Sequence, residues 1–291
     1  MNKGYCDLHT HTVISDGIYT PEELIQRGIN EGLAVLCMTD HNAINPNLPV
    51  LIKKYPQIEL PFGAEFSSQY TTVSGRLIQI HIGGIDFDPD NRDIQSVLKH
   101  NKNSMRPYLE KTLQKLKTKC DIDLGSYDSL VKQFNRTNIN RKHIALALTQ
   151  RGFSGSIEDA FDTYLNNKGG VERPAYVSNA KYFATMEEVI HAITSSGGVA
   201  FLCHLFDYIE KSNLNESEIH GLLSDFKDLA CSRGAMEVYY GSYSREQTEI
   251  LKQLADDHHL IYSAGSDFHG DGRISELGKY PYEIYAQMKL K

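Results

Sequence analysis

Tyr5-Cys6-Asp7-Leu8-His9-Thr10-His11-Thr12-Val13-Ile14-Ser15-Asp16-Gly17 is a short apolar run that stops at two histidines and an aspartate. Residues two apart in a strand project from the same face, so His9 and His11 can both address one ion, and Asp16 returns from the following loop. Imidazole and carboxylate together suit Zn, Mn or Fe, and positions left open to water make such a site catalytic. With 12 His in 291 residues, chance supplies about half of one His-x-His pair, so the motif needs corroboration.

The rest of the chain repeats the arrangement. Residues 34–39, Ala-Val-Leu-Cys-Met-Thr, are apolar on both faces, as a covered parallel strand would be, and end in Asp40-His41-Asn42. Residues 58–62 read as a third strand delivering Gly63-Ala64-Glu65-Phe66-Ser67, and residues 76–81 as a fourth delivering His81. Later, 198–203 ends at His204, and 260–264 runs into Gly265-Ser266-Asp267-Phe268-His269-Gly270. Each apolar run ends in His, Asp or Glu, where the C-terminal rim of a parallel barrel places its catalytic residues. Nine residues could then ligate metal: His9, His11, Asp16, His41, Glu65, His81, His204, Asp267 and His269. That is too many for one tetrahedral ion. It fits two or three divalent ions sharing bridging carboxylates, an arrangement that clamps both the attacking and the leaving oxygen of a displacement.

Helical patterns fill the intervals. Thr20-Pro21-Glu22-Glu23 supplies an N-cap, Pro at the first helical position and Glu three after the cap, so a helix should run to about Gly32. From 95 to 182 the pattern changes to consecutive amphipathic helices over 97–117, 127–134, 140–151 and 156–165, with no strand between them. This reads as a helical insertion, with Asn166-Asn167-Lys168-Gly169-Gly170 leading back. Alternation resumes with helices over 186–195, 216–230 and 245–257 and a strand over 235–239. The expected organisation is a barrel built from 1–94 and 183–291, interrupted by the insertion 95–182. Arg141-Lys142-His143 opens a helix, where an Arg and a His near free N–H groups could grip a phosphate. His100, His191, His220, His258 and His259 fall in or at the ends of predicted helices and receive no role.

Hydrophobic content of 41 %, charged content of 23 % and 9 Pro describe an ordinary globular chain. The net charge of −7 argues against binding nucleic-acid polymers or anionic membranes, but not against a phosphorylated substrate, because divalent cations would reverse the local field. The chain enters its first strand directly and has no run long enough to span a bilayer, so a cytoplasmic location is expected. Cys6, Cys37, Cys120, Cys203 and Cys231 are odd in number and lack a Cys-x-x-Cys pairing, and read as free thiols, mostly buried. No phosphate-binding loop and no Gly-x-Ser-x-Gly elbow is present. Hydrolysis at a metal centre is the chemistry left.

The series Asp7-Leu8-His9-Thr10-His11-Thr12, Ser15-Asp16-Gly17, Thr39-Asp40-His41-Asn42, Gly63-Ala64-Glu65-Phe66-Ser67, His81, His204 and Gly265-Ser266-Asp267-Phe268-His269-Gly270 resembles the motifs of the PHP (polymerase and histidinol phosphatase) metal-dependent phosphoesterases. Within the insertion, Arg141, His143 and Ala160-Phe161-Asp162-Thr163-Tyr164-Leu165 resemble that family's nucleotide-phosphatase branch. The resemblance implies a distorted (β/α)7 TIM-like barrel with a helical lid. It implies two or three Mn, Fe or Zn ions and hydrolysis of a small phosphomonoester such as AMP or a nucleoside 3′,5′-bisphosphate by a hydroxide bridging the ions. Arg141, His143 and Arg173 would contact the phosphate, and His143 or Asp267 would protonate the leaving group. Leu205 and Lys142 stand where relatives usually have Pro, and the second change is expected to loosen the first turn of the lid helix. A cyclic phosphodiesterase, an amidohydrolase-type C–N hydrolase and a non-catalytic metal-binding module are the alternatives.

Overall fold

A computed structural model describes residues 4–136, 139–168, 171–272, 274 and 276–289; Gly169 and Gly170 lie outside them. The first unit forms as its sequence signals direct. β1 (Tyr5–Thr10) is followed by α1 (Pro21–Asn30), whose capping box is complete: the Thr20 hydroxyl accepts from Glu23 N and the Glu23 carboxylate from Thr20 N. α1 buries Leu24, Ile25 and Gly28 and leads into β2 (Leu33–Met38), parallel to β1. A short α2 (Leu48–Lys54), with Pro in its first turn, was not anticipated.

The expected third and fourth strands are displaced. Residues 58–62 make only an isolated bridge between Glu59 and Val35, because Pro61 has no N–H to give a ladder. The strand is instead β3 (Gly63–Thr71), which folds back on β4 (Leu77–Ile85) as an antiparallel hairpin. Its turn closes through Thr72 N to Arg76 O and Gly75 N to Thr72 O, both 2.8 Å, with Gly75 at φ +83°, a conformation that suits glycine. Glu65 and His81 therefore lie inside a hairpin, with His81 opposite Ser67, rather than at strand ends.

The helical interval starts earlier than expected. α3 (Arg92–Cys120) is capped by Asn91 and continues through Pro107. Ile94, Val97 and Leu98 pack in the sheet core, whereas Tyr108, Leu109, Leu113 and Leu116 belong to a separate apolar cluster. That second cluster is completed by α4 (Tyr127–Phe134), α5 (Arg141–Gln150), α6 (Ile157–Ala160) and the π-helical turn Phe161–Leu165. After the last of these helices, the two-residue strands β5 (Asn167–Lys168) and β6 (Val171–Glu172) pair antiparallel in the stretch expected to lead back.

The return segment follows its periodicity closely. α7 (Met186–Ser195), β7 (Val199–Leu202), α8 (Leu205–Ser212), α9 (Glu216–Ala230), β8 (Gly234–Tyr240), α10 (Arg245–Asp257) and β9 (Ile261–Gly265) come in succession, then β10 (Tyr280–Pro281) and α11 (Tyr282–Lys289). One sheet has the order β3-β4-β7-β8-β9 and the other β10-β1-β2. β4 runs antiparallel to both its neighbours. Between the two sheets the described residues show only isolated bridges, including Thr10 with Phe268 and His41 with Glu65. The fold is α/β with mixed sheets, and the expected (β/α)7 barrel of parallel strands is not confirmed. An interior cluster including Cys6, Leu8, Val35, Cys37, Ile85, Phe201, Cys203 and Ala264 spans strands of both sheets. No helix among the described residues is long and apolar enough to cross a membrane.

Candidate metal centre

The His-x-His spacing works as expected: His9 and His11 are both fully buried. Loops after β2, β7 and β9 bring in His41, His204, Asp267 and His269, while the β3–β4 hairpin supplies Glu65 and His81. Glu65 is the hub. Its Oε1 lies 2.7 Å from His81 Nδ1 and 2.9 Å from His204 Nε2; its Oε2 lies 2.8 Å from His41 Nδ1, 3.3 Å from His11 Nε2 and 3.4 Å from His9 Nε2. Asp267 Oδ1 approaches His11 Nε2 to 3.0 Å, and Asp16 Oδ1 approaches His269 Nε2 to 3.2 Å. All nine residues are thus brought together.

Among the described residues, four groups each have one donor atom per residue within 4.8 Å of the others: His11, Asp16, His41 and His269; His9, His11 and Asp267; His41, Glu65 and His81; and His9, Glu65 and Cys203. His204 joins through Glu65. Cys203, read from sequence as a buried thiol outside the ligand set, is buried and free but lies beside it.

Charge and desolvation agree with a cation host. Despite burial, the surrounding histidines hold the carboxyls of Asp16, Glu65 and Asp267 well below the usual range. Burial opposes protonation of His11, but the carboxylates of Asp267 and Glu65 outweigh it and hold that ring up at about 10. His9 is likewise raised, by Glu237 and Glu65 against burial, whereas burial wins at His81 and pushes it down to about 4. Among the described residues, His9 Nε2, His11 Nε2 and Glu65 Oε2 are buried and make no aligned hydrogen bond, although each lies close to its neighbours in the cluster. An unsatisfied buried polar group costs about 1–3 kcal/mol, and three donors converging on one another fit divalent cations.

A second layer of carboxylates, not read from the sequence, holds the loops. Asp7 accepts from Ser266 N (2.9 Å), Ser266 Oγ (2.6 Å) and Gly278 N (2.7 Å), tying β1 to the Asp267 loop. Asp40 accepts from Thr12 N, Thr12 Oγ1 and Ser15 Oγ at 2.7–2.8 Å, shaping the loop that carries Asp16. Tyr240 donates to Asp267 Oδ2 at 2.8 Å, and Tyr208 receives His81 N at 2.7 Å. The one visible signal in the sequence is a carboxylate interrupting, or ending, an apolar strand.

The α5 end of the helical interval reaches this centre. Asn140 caps α5, accepting from Lys142 N and His143 N, and its Nδ2 donates to Asp16 Oδ2 at 2.9 Å. Lys142 Nζ donates to Asp16 O at 3.0 Å and pairs with Asp271 at 2.7 Å. The expected loosening at Lys142 is therefore corrected: a Pro there would lack the N–H that Asn140 binds, and the Lys adds two ties. His143 is buried, its Nδ1 is 2.8 Å from Asn140 Oδ1, and burial pushes its pKa down to about 4. The Arg141 guanidinium lies over the Phe161 ring at 5.5 Å. Among the described residues, Arg173 Nε is buried and without a hydrogen-bond partner, as is Nε of Arg136, which the sequence reading missed. Arg136 Nη2 reaches Gly17 O at 3.4 Å, next to Asp16.

An α/β fold with a histidine and carboxylate cluster grouped around one shared glutamate defines the class of metal-dependent hydrolases. The PHP domain family model matches residues 7–256, and the chain belongs to the PHP family of metal-dependent phosphoesterases. It is 31% identical over 280 residues to a 5′-3′ exoribonuclease of Haemophilus influenzae, covering 96% of this chain and 94% of that one. It is 30% identical over 270 residues to a 3′,5′-nucleoside bisphosphate phosphatase of Chromobacterium violaceum, covering 91% and 87%. A solved structure of a proposed metal-dependent phosphoesterase from Bifidobacterium adolescentis shares the fold, with a TM-score of 0.75 at 24% identity over 97% of this chain and 94% of that one.

Proposed function

We propose that the chain hydrolyses the phosphomonoester of a small nucleotide, with a nucleoside 3′,5′-bisphosphate as the lead substrate and AMP next. The observation that carries this reading is Glu65, approached by five histidines beside buried, unpartnered donor atoms. His9, His11, Asp16, His41, Glu65, His81, His204, Asp267 and His269 would hold two or three divalent ions. The ions would supply Lewis acidity at phosphoryl oxygens and make water acidic enough to attack at neutral pH.

The chain's own residues orient the reaction. Arg136 and Arg173, with buried unsatisfied Nε–H groups, offer charge-assisted bonds to phosphate oxygens, and Arg141 adds a third guanidinium. Neutral His143 serves as a hydrogen-bonding group rather than a proton donor. Tyr240 fixes the rotamer of Asp267. The helices of the insertion act as a lid, joined to the centre through Asn140 and Lys142.

A second reading is favoured by the exoribonuclease relative and counts against excluding nucleic acid from net charge alone. Water attack on phosphorus with departure of a 3′-oxygen is the same bond change whether the phosphate is a terminal monoester or links to the next nucleotide. A short RNA end is therefore a competing substrate at the same centre.

The deciding assay uses protein stripped of metal and refilled with Mn(II). Nucleoside 3′,5′-bisphosphate, AMP, cyclic nucleotides, a 5′-phosphorylated RNA oligomer and a set of amides are supplied side by side. Metal-dependent phosphate release, fastest from the bisphosphate, is expected. Faster release of nucleotides from the RNA moves the assignment to the second reading. Ring opening, amide cleavage or complete inactivity would each overturn the phosphomonoester reading.

A further inference from the structure

Glu237 belongs to neither the predicted ligand set nor the four donor groups, yet it is completely buried within β8. Its Oε1 lies 2.9 Å from His9 Nδ1, and its Oε2 accepts from the backbone N–H of His204 at 2.8 Å. These two partners come from different segments, His9 in β1 and His204 just after β7, and both reach Glu65, His9 through Nε2 at 3.4 Å and His204 through Nε2 at 2.9 Å. An ionised carboxylate only accepts, so the His9 nitrogen facing Glu237 must carry a proton. In the neutral ring that a metal ligand requires, the lone pair is then on Nε2, the buried atom turned towards Glu65 and Asp267.

Local structure is arranged around this carboxylate. The register of β8 against β9 slips between Glu237, opposite Ser263, and Tyr239, opposite Ala264, and bulges of this kind re-aim a side chain. His204 has φ +27°, an uncommon conformation for a residue with a side chain, and its N–H is the group Glu237 holds. A Cβ at Gly265 would come within 2.8 Å of Glu237 Oε1 and 2.1 Å of His9 Cβ, so the neighbouring strand leaves room only for glycine.

We infer that Glu237 is a positioning residue that fixes the ring tautomer of His9 and the backbone of His204, setting two ligands from two separate segments at once. The inference rests on the metal-centre reading. It does not depend on which ester is the substrate.

The test measures metal affinity and ring tautomer, not turnover. Mn(II) binding by chelator competition is expected to weaken about 10–100-fold in Glu237→Gln, as for other groups that orient a metal-bound imidazole. An amide presents an N–H to one of two donors and cannot accept from both. Glu237→Asp should recover part of the loss, and the visible spectrum of the Co(II)-loaded Glu237→Gln protein should differ from that of the native protein. Unchanged Mn(II) affinity in a folded Glu237→Gln protein would overturn the inference. If that variant does not fold, ring ¹⁵N spectra of the native Zn(II)-loaded protein decide: a proton on Nδ1 of His9 is expected, and a proton on Nε2 would overturn it. Failure of the native protein to bind any divalent cation would instead remove the metal-centre reading itself.

Discussion

Asn140 Nδ2 donates a 2.9 Å hydrogen bond to Asp16 Oδ2, so the residue that caps α5 also holds a carboxylate of the candidate metal cluster. Asn140→Ala removes both roles. We predict a stability loss of about 1 kcal/mol from the lost cap and roughly tenfold weaker Mn(II) binding from the freed carboxylate. Urea melts and chelator competition measure the two separately. A stability loss with unchanged affinity would reduce Asn140 to a helix cap.

Glu65→Gln keeps the size of the side chain and removes the charge that five histidines approach. We predict loss of bound metal and a fall in turnover of at least about a hundredfold, the scale of removing one electrostatic contact at a reacting centre. Metal content by elemental analysis, alongside circular dichroism, checks this. A variant with full metal content and near-native rate would end the hub assignment.

Arg136→Ala and Arg141→Ala are predicted to raise KM for a phosphate ester roughly tenfold or more while kcat changes less, as the proposed binding role requires. The Arg136 effect should be the larger, because its guanidinium reaches the loop after Asp16. An unchanged KM in either variant would take that arginine out of the site.

Gly265→Ala should cost about 1–3 kcal/mol by overpacking, because the new Cβ meets His9 Cβ at 2.1 Å. Thermal melts of the metal-free protein are the appropriate measurement. Native stability would show that His9 and β9 can move apart, and would weaken the case for a rigid centre.

Acid stability has an identifiable contributor away from the site. Glu218 accepts from Arg76 Nε at 2.9 Å, and from Arg76 Nη2 and Ser74 Oγ at 2.5 Å. The Arg76 guanidinium, with Ser74 and other donors, holds the Glu218 carboxyl at about 2. A depressed carboxyl contributes stability that is complete above the ordinary glutamate pKa and is lost as pH falls towards 2. We predict that Glu218→Gln lowers stability at pH 7 by about 2 kcal/mol and flattens the decline between pH 4.5 and 2. Parallel acid limbs in the two proteins would contradict this.

The sequence by itself determined what depends on near neighbours. The capping box at Thr20, the periodicity of α7, α9 and α10, and the His9/His11 and Asp267/His269 spacings were legible because each is set within a few residues. The nine cluster residues followed from their place beside apolar runs. Strand direction did not follow. Pro61 and the Gly75 turn moved the predicted third and fourth strands into a hairpin whose second strand, β4, runs antiparallel to β7, and whether sheets close depends on pairing between distant strands. Glu237, Asp7 and Asp40 looked like ordinary strand or loop carboxylates until folding buried them against donors from other elements. Arg136 and Lys142 acquired their meaning only when the helical interval packed against the Asp16 loop. Long-range contacts of this kind leave no local pattern, because the partner lies tens or hundreds of residues away and only tertiary packing brings it into reach.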